Sequence, residues 1–375
     1  MNNTNPLDHF SSLEDYRDTR YTKHRMLNIV AISICAIICG ARDWYDIEDF
    51  GRNKVHWLRT FLDIGDSVPS HDTYQRFFSF VRPDSLEQCF SSWIAAIADL
   101  TDGRLIHIDG KTLRGSKGAD SEHFVHMVSA WCSLNGLVLG QQKVDDKSNE
   151  ITAIPALLNL LVIKGCVVTI DAIGCQQEIA ATIVDQGGDY ILAVKDNQKF
   201  LHDDIQEAFV NEKNVQHYKA KAELNHGRIE NRSISVITNM DWICNAGNWE
   251  GLQSLIKVDT AREDKRSGSK QAETRYYISS SKATAEYFHG AIRSHWQIEN
   301  TLHWVLDVVF GEDASKKQAG NSAQNFSLLN KIALNLLRHY EVPGYTGAKK
   351  LSIKRKRNIA AWQNEHVLHM LFKNN

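Results

Sequence analysis

Proline, paired cysteine and long apolar runs are all scarce in this chain. Only 5 of its 375 residues are proline, which excludes a proline-rich disordered or fibrous protein. The seven cysteines, at 35, 39, 89, 132, 166, 175 and 244, are odd in number and include no C-x-x-C pair. Neither a disulfide framework nor a structural zinc site is therefore indicated, and a reducing cytoplasm is the expected setting. The one apolar run, MLNIVAISICAIICG at 26–40, is fifteen residues long. A bilayer span needs roughly 20, so a buried core helix is expected and no membrane partner. The opening MNNTNPLDHFSSLEDYRD has no apolar core and carries acids early, unlike an export signal. Nor does one sign of charge dominate, since the net charge is only -2.

That near-neutral total hides an asymmetry. Residues 314–375 carry +9, which leaves -11 on residues 1–313. The basic peak is Lys349, Lys350, Lys354, Arg355, Lys356 and Arg357. Such a cluster can neutralise backbone phosphates and release their counterions; the plainer alternative is a solvated basic tail. An acidic body with a basic flank suits a metal-binding enzyme that must hold a polyanion. With 43% hydrophobic residues the chain can bury a substantial core, and its length suggests two or three domains.

The order of elements gives an α/β architecture. Residues 8 to about 100 read as helical, with helices opening at Pro69-Ser70-His71-Asp72 and after Pro83-Asp84-Ser85. That pair could form a helix-turn-helix or simply pack as helices. From Arg104 the pattern changes. LIHID is a strand, and HFVHMVSAWC with LVLGQQKV reads as a hairpin about Asn135-Gly136. A helix over 151–161 leads into the buried strand CVVTID, and one over 176–185 into YILAVK. Three antiparallel strands followed by strand-helix-strand units imply a mixed sheet flanked by helices. Residues 200–283 read as a β-rich insertion, in which Arg228, Arg232, Arg262 and Arg275 are either groove cations or solvent-face charges. A long helix over about 286–309 follows, with an apolar stripe at Ala291, Ile298, Leu302, Val305 and Val309.

Three acids stand out against this frame. Asp109 and Asp171 end strands that right-handed crossovers make neighbours, at the carboxyl edge where ligands of such sheets bind. Glu299, on the late helix, shares a face with Trp296, His295 and His303 at helical spacing. Singly, each aspartate reads as a turn or cap residue; together they make a carboxylate site for divalent metal and phosphodiester chemistry. Lys111, Arg114, Lys195 and Asn197 lie just past strand ends, as candidate phosphate contacts.

The strings HIDGKTLRG, TIDAIG, YILAVKDNQ, HGRIENR and RSHWQIENTLHWVLDVVFGED resemble the H-repeat-associated transposases of bacterial insertion sequences, within the DDE superfamily. ARDWYDIEDFG, VPSHDTYQRFFS and SIKRKRNIAAW extend that resemblance over nearly the whole chain. It implies a ribonuclease-H-like catalytic core over 101–345, an N-terminal helical, DNA-binding or transposase-associated domain over 1–100, and a basic C-terminal segment over 346–375. Asp109, Asp171 and Glu299 are then the catalytic metal ligands. Two Mg²⁺ ions about 4 Å apart, replaceable by Mn²⁺, activate water or a DNA 3′-hydroxyl and stabilise the leaving oxygen. Double-stranded DNA is the partner, at element ends and target. A homodimer on DNA and a cytoplasmic, nucleoid-associated location follow from the same resemblance.

One departure is plain. Related transposases carry Y-x2-R-x3-E-x6-K, and counting from Glu299 those companion places hold Ile292, His295 and Leu306. His295 is then a candidate phosphate contact and Trp296 a stacking platform for an unpaired base. With His303, Lys354, Arg355, Lys356 and Arg357 they complete the expected DNA contacts. Three function classes stay open: an active transposase, a repurposed DNA-binding protein that keeps the fold, and a two-carboxylate glycosidase with acids about 5 to 10 Å apart and no metal.

Overall fold

The computed structural model describes residues 5–372 apart from 19, 21, 66, 99–102, 118–123, 146–148, 226–227 and 346–350. Lys349 and Lys350, and His123 and His226-Gly227 at the starts of two expected strands, lie outside the described residues.

Six helices come first: α1 (Pro6–Phe10), α2 (Met26–Ile38), α3 (Trp44–Asn53), α4 (Val55–Leu58), α5 (His71–Phe80) and α6 (Pro83–Ile97). The apolar run is α2, and every residue from Asn28 to Ile38 is buried, as its length required. Ser70 caps α5 by accepting from the Thr73 amide. The next helix starts on Pro83 itself with no side-chain cap, one to two residues before the expected Asp-Ser cap. Pro suits that position because its missing N–H would be unpaired there anyway.

The sheet begins with β1 (Leu105–Leu113), β2 (Val125–Cys132) and β3 (Leu137–Val144). The β2–β3 hairpin turns at Asn135-Gly136, where Gly136 takes φ 64°, a value that favours glycine. Then follow α7 (Glu150–Leu158), β4 (Val167–Ile170), α8 (Gln177–Asp185) and β5 (Asp189–Val194). β4 is parallel to both β1 and β5 and buried at all four residues, as a central strand covered on both faces must be.

The expected insertion differs in two ways. Its first part is a helix, α9 (Lys199–Asn211), followed by β6 (Gln216–Lys219), β7 (Glu223–Asn225), β8 (Arg228–Ile237), β9 (Ser254–Asp264) and β10 (Lys270–Ser279). The strands form no separate lobe: β10 pairs antiparallel with β5, giving one sheet in the order β3-β2-β1-β4-β5-β10-β9-β8-β6, with β7 on β8. β5 would otherwise leave an open edge, and β10 satisfies its backbone groups.

The late helix is also interrupted. It consists of α10 (Ala285–His295), a π-helical turn over Ile298–His303 and α11 (Trp304–Val308). α12 (Ser322–His339), α13 (Ile353–Trp362) and α14 (Asn364–Phe372) close the chain. α12 is buried along nearly all its length and touches α2, α5, α6, α13, α14, β2 and β3. Helices from both ends of the chain thus share one apolar core with the sheet. The result is a mixed α/β fold, a large partly parallel sheet flanked by helices, consistent with the ribonuclease-H-like expectation.

Candidate active site

β1 and β4 pair in parallel only as far as Ile108 and Ile170. β4 stops there, and Asp171 is the next residue; β1 runs on to Leu113 against β2 alone, so Asp109 sits within its strand and not at the end. Either way the two aspartates stand side by side where the parallel ladder ends. Asp171 accepts from the Ile173 amide at 3.2 Å and Asp109 from the Gly110 amide at 2.9 Å. The π-helical turn brings exposed Glu299 to the same cleft of about 330 Å³, which Asp109, Asp171, Lys195, Arg275, His295 and Trp296 also line.

Electrostatics mark the two aspartates as only partly compensated. Burial and the neighbouring Asp171 charge, with smaller contributions from Glu150 and Glu299, push the Asp109 carboxyl up to about 7. Asp171 is also raised, by burial and by Glu150, against its backbone hydrogen bonds and Lys195. Mutual repulsion of hard oxygen donors is the condition that a divalent cation relieves. Among the described residues no three His, Cys, Asp or Glu side chains are already gathered into a ligand shell. The donor chemistry therefore fits the metal, with the carboxylates facing one cleft but not yet closed around an ion.

Beneath the acids lies a neutral layer. Thr169 Oγ1 is 2.6 Å from His107 Nδ1 and 2.8 Å from His295 Nδ1. One hydroxyl has one proton, so at most one ring accepts from it and the other must donate to it. Burial holds His107 down to about 3 and His295 to about 4, so both rings are neutral at physiological pH. His303 Nδ1 lies 3.6 Å from Asp109 Oδ2, and burial, then Lys111, holds it down to about 3.

A family profile described as "Transposase DDE domain" matches residues 100–336, and one described as "DDE_Tnp_1-associated" matches residues 7–94. The chain belongs to the DDE transposase family. It is 41% identical to "Putative transposase YncI" of Escherichia coli O157:H7, over 97% of this chain and 94% of that one. It is 40% identical to "H repeat-associated putative transposase YhhI" of Escherichia coli strain K12, over 97% of both chains. A third relative from the same strain, "Inactive transposase YbfQ", is 38% identical over only 20% of this chain. The resemblance to H-repeat-associated transposases is thereby borne out.

The remaining expected contacts of this DDE transposase separate into three groups. Lys195 is exposed and lines the cleft, as does Trp296, whose ring lies under the Arg275 guanidinium at 4.9 Å. Arg114, Lys354 and Arg355 are exposed. The rest are engaged otherwise. Lys111 is half-buried in ion pairs with Asp307 and with Glu312 at 2.7 Å; burial alone would lower its ammonium, but Glu312 and Asp307 overcome that and raise it. Asp307 is thus taken by Lys111. Asn197 ties its loop down by donating to the Ala172 carbonyl at 2.7 Å. His295 and His303 do not share a simple helical face with Glu299, because α10 ends at His295 and the turn that follows is π.

Lys356 and Arg357 are corrected outright as free phosphate contacts, because both are buried. Lys356 donates to the Leu337 carbonyl at 2.8 Å, at the end of α12, and to that of Tyr340. Arg357 donates to the carbonyls of Ile37 at 2.7 Å and Val309. Both pin helix ends, where four carbonyls lack partners.

Beside the cleft, Arg232, Arg262, Arg275 and Arg293 line a second hollow that shares Arg275, Tyr277, Ile292 and Trp296 with the first. Each is partly neutralised: Arg232 and Arg262 by Glu230, Arg275 by Glu273 and Arg293 by Glu223. Thr169, Arg293 and Glu150 carry no signature in the sequence. Thr169 faces inward beneath the site by strand alternation, and Glu150 is legible only as the first residue of a helix capped by Asn149.

Proposed function

We propose that this chain is an insertion-sequence transposase that binds its element's DNA ends and catalyses divalent-metal-dependent strand cleavage and transfer. The observation that carries this reading is the convergence of Asp109, Asp171 and Glu299 on one cleft of a DDE-family fold. These three carboxylates are the groups to hold Mg²⁺, or Mn²⁺ in its place. When bound, the metal activates a water or 3′-hydroxyl and offsets charge on the phosphate during in-line displacement, so no protein nucleophile is required.

The chain's own residues supply position. Lys195 and Arg275 at the cleft wall contact backbone phosphates, and the Arg275–Trp296 stack offers a flat face for an unpaired base. The neutral His107–Thr169–His295 layer supports the two aspartates from below without neutralising them. The exposed Lys354 and Arg355 bind DNA outside the cleft, and the protein works as a homodimer bridging two ends.

The test is cleavage of a labelled fragment bearing the element's own ends, in Mg²⁺, Mn²⁺ or EDTA, by wild type and Asp171→Asn. Metal-dependent cutting that the variant loses while still binding DNA is the expected result. Wild type that binds without cutting would make the chain a repurposed DNA-binding protein, and cutting in EDTA would overturn the metal mechanism.

A further inference from the structure

Glu150 is a fourth acid, set against Gly110 beside Asp109 and outside the lining of the cleft, that the DDE triad does not include. Asn149 caps α7 by accepting from the Ile151 amide at 3.1 Å, which makes Glu150 the first helical residue. Its Oε1 lies 2.6 Å from His126 Nε2 on β2, and His126 Nδ1 lies 2.9 Å from Thr112 Oγ1 on β1. The carboxylate is therefore held by a relay anchored in the same strand that carries Asp109.

Gly110 shows how closely it is seated. A Cβ at that position would lie 2.2 Å from Glu150 Oε1 and 2.7 Å from His126 Nε2. The Glu150 carboxylate thus occupies the space that any other residue next to Asp109 would fill. Past Ile108, β1 has no β4 partner, so no strand stands between Glu150 and the end of the parallel ladder. α7 also packs against the turn at 172–174 that directly follows Asp171. A carboxylate set into a group of repelling acids is costly unless a cation joins them.

We propose that Glu150 is a further carboxylate of the divalent-cation site, oriented by the Thr112–His126 relay and admitted by the bare backbone at Gly110. The inference rests on the metal-dependent reading above. The alternative is a plain Glu150–His126 ion pair that only ties α7 to the sheet.

Titration of the metal-free full-length protein with Mn²⁺, followed by the loss of free-ion electron paramagnetic resonance signal, separates the two without relying on activity. Glu150→Gln should weaken Mn²⁺ binding by at least about tenfold, as even outer-shell losses do. Its metal-free melting temperature should stay level or rise, because a repelling charge is gone. Gly110→Ala keeps the acid but displaces it, and should weaken binding likewise; it also serves if Glu150→Gln does not fold. Glu150→Gln that binds Mn²⁺ like wild type, or that melts lower without metal, overturns the proposal in favour of the plain ion pair, as does Gly110→Ala that binds Mn²⁺ like wild type. If Asp171→Asn weakens binding while Glu150→Gln does not, only the role of Glu150 falls. If wild type binds no Mn²⁺, the metal-dependent reading falls with it.

Discussion

Thr169 shows how much of the site depends on a residue with no catalytic chemistry of its own. Its hydroxyl serves two imidazoles, one buried and one half-buried. The histidines' folded pKa values, about 3 for His107 and about 4 for His295, lie below the ordinary value of 6.5. In the window between, the unfolded chain takes up protons that the folded one refuses, so stability falls as pH drops from about 6.5 towards 4. Asp109 acts in the opposite sense, because its raised carboxyl favours the folded state at low pH and loses that contribution as pH rises towards about 7. The difference between variants isolates the imidazoles. In EDTA, His107→Leu should lose less melting temperature than wild type between pH 7 and 4.5, as followed by circular dichroism; identical slopes would show that His107 is not held neutral. Asp109 and Asp171 were legible in the sequence because each follows an Ile/Val-rich run. The layer below them was not, since a His or Thr inside a strand looks the same whether it supports a site or merely packs.

At the scale of elements, α13 explains why charge density misleads. The cluster at 354–357 reads as one basic patch, but helical spacing divides it. Ile353, Lys356, Arg357 and Ala360 fall on one side, which faces α12 and α2, while Lys354, Arg355 and Asn358 face solvent. Lys354→Ala and Arg355→Ala should each lower the slope of log affinity for DNA against log salt by about 1, with unchanged unfolding. Arg357→Met should do the reverse. It leaves buried carbonyls at Ile37 and Val309 without their donor, at a cost on the order of 3 kcal/mol by urea denaturation. Equal effects of both faces on the salt slope would reject this division. The late helix is a similar case: its apolar stripe was legible and all of it is buried, yet nothing in the spacing announces a π turn. Such turns often mark functional sites, and here the one residue projecting from it into the cleft with catalytic chemistry is Glu299.

Across the whole molecule, a buried chain of charges joins the N-terminal helices to the cleft. Glu87 on α6 faces Lys331 on α12; burial pushes the acid up and the ammonium down, and each partly offsets the other. Lys331 donates to Gln141 on β3 and to Ser327, which donates to Glu312 at 2.8 Å. Glu312 pairs with Lys111 on β1, two residues from Asp109, and Lys111 with Asp307 on α11. The elements were readable from sequence, but this connection was not, because its members lie up to 244 positions apart between Glu87 and Lys331. Removing the N-terminal helices would strip α12 of its apolar cover and take Glu87 from beside Lys331. Proteins of this size often unfold in stages. The shared core predicts instead that urea unfolds the intact chain in one transition, with tryptophan fluorescence and far-ultraviolet circular dichroism superimposed. A fragment of residues 103–345 should then lack fixed near-ultraviolet dichroism. Two separated transitions, or a fragment that folds and melts cooperatively, would instead make the N-terminal helices an independent unit resting on the catalytic sheet.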